Sequence, residues 1–234
     1  MRVSHCLAVL VTLVTPLSAA SAQASQQTPS FRVARDSFAV KFDGAPEGYQ
    51  IHEYTRTANG YRYVSQIVIG ALFRSRYDVQ LDRLLQPVSV ESETTMGGQS
   101  GASAMRYERQ RARGSARSAD AGNRRAAPID TQLPSGAFDG HALYPVLLSK
   151  PWMVGRTERL TVFDTDERSL TVQTARAVRM ELIDAGGRKQ RALRIELSTT
   201  QLPVTLWISE RAPFRLLRIN SANGSTMLVR SSDT

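Results

Sequence analysis

The chain has 234 residues, 41% of them hydrophobic, and 30 Lys and Arg against 21 Asp and Glu give a formal charge of +9, with 27 of the 30 cations arginine. In a cytoplasmic protein that balance would make nucleic acid the first partner to consider, but the N-terminus points to export and so against nucleic acid. One cysteine, Cys6, and two histidines beyond residue 5 exclude a disulfide framework and argue against a soft-metal site, and no cofactor is expected.

Residues 1–24 read as a secretory signal, with Arg2 and His5 ahead of an apolar run from Cys6 to Leu17 and small residues at two possible cuts, after Ala22 or after Ala24. That run is shorter than the roughly 20 residues needed to span a bilayer, so the expected mature protein is periplasmic or secreted and not an integral membrane protein. Cys6 lies far from either cut, which leaves no lipobox. Residues 25–36 read as a flexible segment and 37–232 as one domain.

From Ser37 the pattern is period 2, the signature of half-buried strands. Phe38, Val40 and Phe42 share one side of Ser37 to Asp43. Tyr49 to Thr57 leads through Asn59-Gly60, a strong hairpin signal, into Tyr61 to Phe73, where Tyr61, Tyr63, Ile67 and Ile69 share a face opposite Val64, Val68 and Leu72. Tyr77, Val79 and Leu81 alternate with polar residues, and Val88 to Met96 and Ala102 to Arg111 form a pair around Gly97-Gly98-Gln99-Ser100-Gly101.

Arg106, Arg109, Arg111, Arg113, Arg117, Arg124 and Arg125 then crowd one stretch, and its later portion, Gly114 to Ala127, has no apolar periodicity. Residues 112–128 are therefore expected to be an Arg-rich loop, either solvated or a phosphate-binding arm, with Arg113, Arg117, Arg124 and Arg125 as candidate contacts for an acidic envelope partner. One helix is expected around Phe138 to Leu148, weakened by Pro145. A second meander follows: Arg159 to Asp164, Ser169 to Asp184 with Leu170, Val172, Val178, Met180 and Leu182 on one parity, Arg191 to Ser198, Leu202 to Ser209, Phe214 to Asn220 and Ser225 to Arg230. Short sequential hairpins predict an antiparallel sheet. The fold class expected is all-β, a strongly curved half-barrel with one covering helix.

No catalytic motif stands out. Asp139-Gly140-His141 could orient an imidazole for base catalysis, but a helix-start Asp beside a surface His explains it as well. Asp164-Thr165-Asp166-Glu167 could hold calcium, yet it sits where a hairpin must turn. Asn223-Gly224-Ser225 matches a glycosylation sequon and equally a tight turn. Trp207 lies opposite Val204, Leu206 and Ile208, so its strand is either buried on both sides or lines a cavity. Trp152, Trp207, Tyr63 and Tyr144 are the candidate ligand-binding residues for an apolar hollow.

The order of a meander, Leu133-Pro134-Ser135-Gly136-Ala137-Phe138-Asp139 entering a helix, and Pro151-Trp152-Met153-Val154-Gly155 opening a second meander resembles uncharacterised exported half-barrel proteins related to the lipoprotein-carrier superfamily. Val204-Thr205-Leu206-Trp207-Ile208-Ser209, a short turn and Pro213-Phe214-Arg215 agree with it. The resemblance implies a curved sheet wrapped around a helical element and, in some members, an acyl chain in the hollow. The function expected is non-enzymatic binding of a lipid or an acylated partner; the alternatives are an envelope-assembly module with a self-filled core and an envelope hydrolase or isomerase.

Overall fold

The computed structural model describes residues 33–42, 45–117, 126–198, 203–221 and 225–229. The expected signal peptide, Arg124, Arg125 and Asn223-Gly224 lie outside the described residues. Eight strands come first: β1 (Ala34–Phe42), β2 (Ala45–Thr57), β3 (Gly60–Ile69), β4 (Phe73–Asp82), β5 (Pro87–Met96), β6 (Gln99–Glu108), β7 (Arg111–Arg117) and β8 (Ala127–Gln132). A short bridge, β9 (Phe138–Asp139), leads through a 3-10 turn at Gly140–Ala142 into the helix α1 (Leu143–Leu148). The second meander is β10 (Thr157–Asp164), β11 (Ser169–Ala185), β12 (Arg188–Ser198), β13 (Val204–Ser209), β14 (Leu216–Ser221) and β15 (Ser225–Val229).

All fifteen strands form one sheet, running from β8 back to β1, across to β15 and back again to β9. Every neighbouring pair is antiparallel except β9 with β10. The sheet curls into a half-barrel around the helical segment, as the alternation of apolar and polar residues implies. Its inner face is read directly from the register. One row of directly paired residues, Tyr54, Tyr63, Val79, Val90 and Met105, is apolar or aromatic and buried. The next row, Asp36, His52, Ser65, Tyr77, Ser92 and Ser103, is polar through six strands. Its carboxylate, imidazole and serines are all buried.

Four expectations are corrected. The segment before residue 37 contributes structure, because β1 begins at Ala34 and Asp36 pairs with His52. Much of the expected Arg-rich loop is strand instead: Arg113 and Arg117 lie in β7, which pairs with β6 and β8 on either side. The β6–β7 hairpin hides from pattern reading because its turn residues, Arg109 and Gln110, adopt the left-handed conformation (φ 42° and 68°) usually left to glycine or asparagine. The helical span shortens to six residues after β9 and a 3-10 turn. In β11 a bulge interrupts the ladder between Ala177 and Arg179, and the expected inward parity does not hold: Ala175 and Ala177 are buried while Leu170, Val172 and Leu182 are exposed.

Gly114 separates the loop reading from the strand reading. A Cβ there would lie 2.0 Å from the Ala104 carbonyl oxygen and 2.8 Å from the Met105 sulfur. Gly114→Ala is therefore expected to lower the urea unfolding free energy by about 2 kcal/mol or more; an unchanged denaturation midpoint would restore the loop.

Candidate functional site

The inner polar row meets the helical segment at its centre. His52 is fully buried in an aromatic box, with ring centroids at 5.1 Å (Phe38), 5.6 Å (Tyr63), 6.3 Å (Tyr54) and 5.2 Å (Tyr144). Tyr54 stacks on Tyr63 at 4.8 Å, and Tyr77 bridges the cluster to the ring of His141 at 4.9 Å. The edge-on and stacked arrangements suit the ring quadrupoles, so the cluster is cohesive in its own right. Burial pushes the hydroxyls of Tyr54, Tyr63, Tyr77 and Tyr144 above the usual phenol range. The His52 Nε2 and the Gln50 Oε1 are buried without a hydrogen-bond partner among the described residues.

Beside the box, Asp139 has no exposed surface and receives four hydrogen bonds. His141 donates from its backbone N (2.8 Å) and meets the same oxygen with Nδ1 (2.7 Å), while Thr165 (2.7 Å) and Tyr107 donate to the other. Burial alone would raise the Asp139 carboxyl, but His141, Tyr107 and Thr165 outweigh it and hold the group below the ordinary carboxylate range. Burial likewise works against the charged form of His141. The bond and charge of Asp139, with Asp166 and Asp164 beyond it, reverse that and raise the imidazole. Both shifts favour the imidazolium–carboxylate form of the pair, which caps the 3-10 turn. Asp139 starts a helical turn as its position suggests, and His141 beside it is half-buried.

The sequence candidates separate. Tyr63 and Tyr144 come together on His52. Trp152 is buried at the end of α1, its indole N–H donating to the Leu147 carbonyl (2.7 Å). Trp207 is corrected to the outer face: it is paired with Arg194 and Arg218, donates to Glu181 at 2.7 Å, and has the Arg218 guanidinium 4.9 Å above its ring. The doubly apolar character of β13 therefore arises from a Trp roofed by arginines. Asp164 caps its turn, accepting from the backbone N–H groups of Asp166 and Glu167 at 2.9 Å each. Tyr77, Tyr107, Thr165 and the inner serines escaped sequence reading. A polar residue on the inward parity of each successive strand was the available signal.

Two titrations follow from this geometry. Burial lowers the His52 imidazole to about 3, while the unfolded chain protonates near 6.5. Between those values the unfolded state binds the extra proton, so stability present above pH 6.5 falls by up to a few kcal/mol on acidification. Urea midpoints at pH 7.5, 5.5 and 4.5 are expected to decline in the wild type and to decline less in His52→Phe. Asp139→Asn leaves four donor groups around a neutral amide and is expected to cost about 3–5 kcal/mol in urea unfolding at pH 7.

No match is found among curated proteins. Among solved structures the chain is similar to the β-barrel-like protein of domain of unknown function DUF1849 from Brucella abortus, with a TM-score of 0.54 at 9% identity, over 86% of this chain and 98% of that one. At that identity the likeness is one of fold. No described helix is long and apolar enough to cross a membrane. The family model for DUF3108, a protein family of unknown function, matches residues 24–229, and the chain belongs to that family.

Proposed function

We propose that this is an exported, non-catalytic interaction module whose half-barrel is filled by its own side chains and whose working surface is the outside of the sheet. The observation that carries this reading is the filled interior. Tyr144 packs on His52, and Leu147, Leu148, Val146 and Trp152 join one continuous core with Phe38, Tyr63 and Leu206. A carrier of the lipoprotein-carrier kind keeps room for an acyl chain beside its helical element, and the packing of α1 side chains into the core supports the self-filled reading instead. Catalysis by the Asp139–His141 pair is disfavoured because both carboxylate oxygens are already engaged by structural donors. Export remains an inference from the N-terminal sequence.

The test separates a packed plug from a lid over ligand space. Leu147 has no exposed surface, so Leu147→Ala is expected to cost about 2–5 kcal/mol, the range for truncating a packed leucine. Titration with 11-(dansylamino)undecanoic acid is expected to give no saturable fluorescence rise. Saturable one-to-one binding, strengthened by a Leu147→Ala variant that loses little stability, would overturn the module in favour of the carrier.

A further inference from the structure

The outer face of β5–β7 gathers arginines around a groove. The groove, of about 850 Å³, is floored by the small residues Ser89 and Ala104 and bordered by Arg106, Arg109, Arg111 and Arg113. The register explains its charge. Arg106 stands directly opposite Ser89 on one side and Arg113 on the other, so two guanidiniums are cross-strand neighbours. Like charges placed opposite one another destabilise a sheet. Asp130 answers Arg111 at 2.5 Å and reaches Arg113 at 3.5 Å. Among the described residues, Arg106 pairs with no carboxylate.

We infer that this groove is the docking surface of the protein, and that it takes an acidic, extended polypeptide segment whose carboxylates are forked between Arg106 and Arg113. Charge complementarity selects the anion, since an Arg fork binds a carboxylate bidentately. The acidic side chains select the class of partner. Glu91 and Glu108 also line the groove and would repel a uniform polyanion such as nucleic acid or a densely charged bilayer surface. A peptide places isolated carboxylates on alternate residues and offers apolar groups between them to the half-exposed Val88 and to Ala104. The inference rests on the interaction-module reading and locates its working surface.

Fluorescence anisotropy with a fluorescein-labelled octapeptide alternating Glu and Leu tests it on the full-length protein. Expected is saturable binding that weakens between 50 and 300 mM salt and falls at least tenfold in Arg106→Ser and further in Arg106→Glu, as loss of a charge-assisted bond implies. The matching Gln–Leu peptide is expected to bind at least tenfold more weakly. Relief of the Arg106–Arg113 repulsion is expected to leave the Tm of Arg106→Ser unchanged or raised by about 1–2 °C, so that lost binding is not lost folding. Equal affinity of Arg106→Ser for the acidic peptide, equal affinity of the wild type for the neutral peptide, or Arg106-dependent binding of phosphatidylglycerol vesicles or an oligonucleotide in place of the peptide would overturn the assignment. Any of these leaves the filled interior intact, whereas fatty-acid binding in the hollow fails the module reading itself.

Discussion

Asp139 is a carboxylate without contact with water, and the curl of the sheet is organised around satisfying it. Removing an ion of this kind from water costs several kcal/mol unless its lone pairs are filled. The donors come from places far apart in the chain: Tyr107 on β6, His141 on the turn that Asp139 itself caps, and Thr165 in the turn between β10 and β11. β6 lies two strands from one edge of the sheet, and β10 lies next to the other edge. The hydrogen-bond ladder does not join these edges, and the two sides of the half-barrel meet through the shared apolar core, the helical segment and the donors gathered on Asp139. His141 supplies the counter-group, and Tyr107 and Thr165 supply the remaining donors.

A second long-range tie operates at the seam between the chain's two meanders. β1 pairs with β15, and Arg215, just before β14, donates to the buried Asp36 at 2.8 Å across 179 residues of sequence. All other antiparallel pairings join strands adjacent in the chain, so most of the sheet can form as successive local hairpins with little loop-closure entropy. The demanding steps are the seam and the Asp139 contacts. Both use a buried carboxylate, which loses its value when its partner is displaced by a wrong register. Such groups contribute specificity of closure as much as stability.

This division explains what could be read from the residues alone. Hairpins advertise themselves: Tyr77, Val79 and Leu81 alternate with charges, and Gly97-Gly98 takes the left-handed conformations a two-residue turn requires (φ 58° and 82°). The half-barrel and most strand positions were legible for that reason. The β6–β7 turn was not, because Arg109 and Gln110 occupy the same kind of geometry without the residue types that signal it. Trp207 misled because period 2 says that both faces of β13 are covered but cannot say by what; a guanidinium roof and a ligand cavity give the same pattern. The Asp139 site was half visible. Asp139-Gly140-His141 shows a cap, but Tyr107 and Thr165 lie 32 and 26 residues away, and only the folded curl brings them in.

Several arginines of the sheet are answered within the fold, and the β5–β7 surface is read against them. Arg62 is held by both oxygens of Asp78; Arg179 and Arg194 converge on Glu181, and Arg194 also reaches Glu196; Arg218 lies over Trp207 and donates to Asn220. In each case a carboxylate, an amide or an aromatic face answers the guanidinium from the same strand or the next. An arginine is the residue to use there, because its planar fork stacks and bonds bidentately where lysine would offer a point charge. Arg106 has the same side chain in the same kind of sheet, with a serine on one side and a second arginine on the other. Arg179 and Arg194 also stand opposite one another, and there Glu181 answers both; Arg106 and Arg113 stand over a small-residue floor with Asp130 reaching only Arg113, an arrangement that gains stability when an external carboxylate enters.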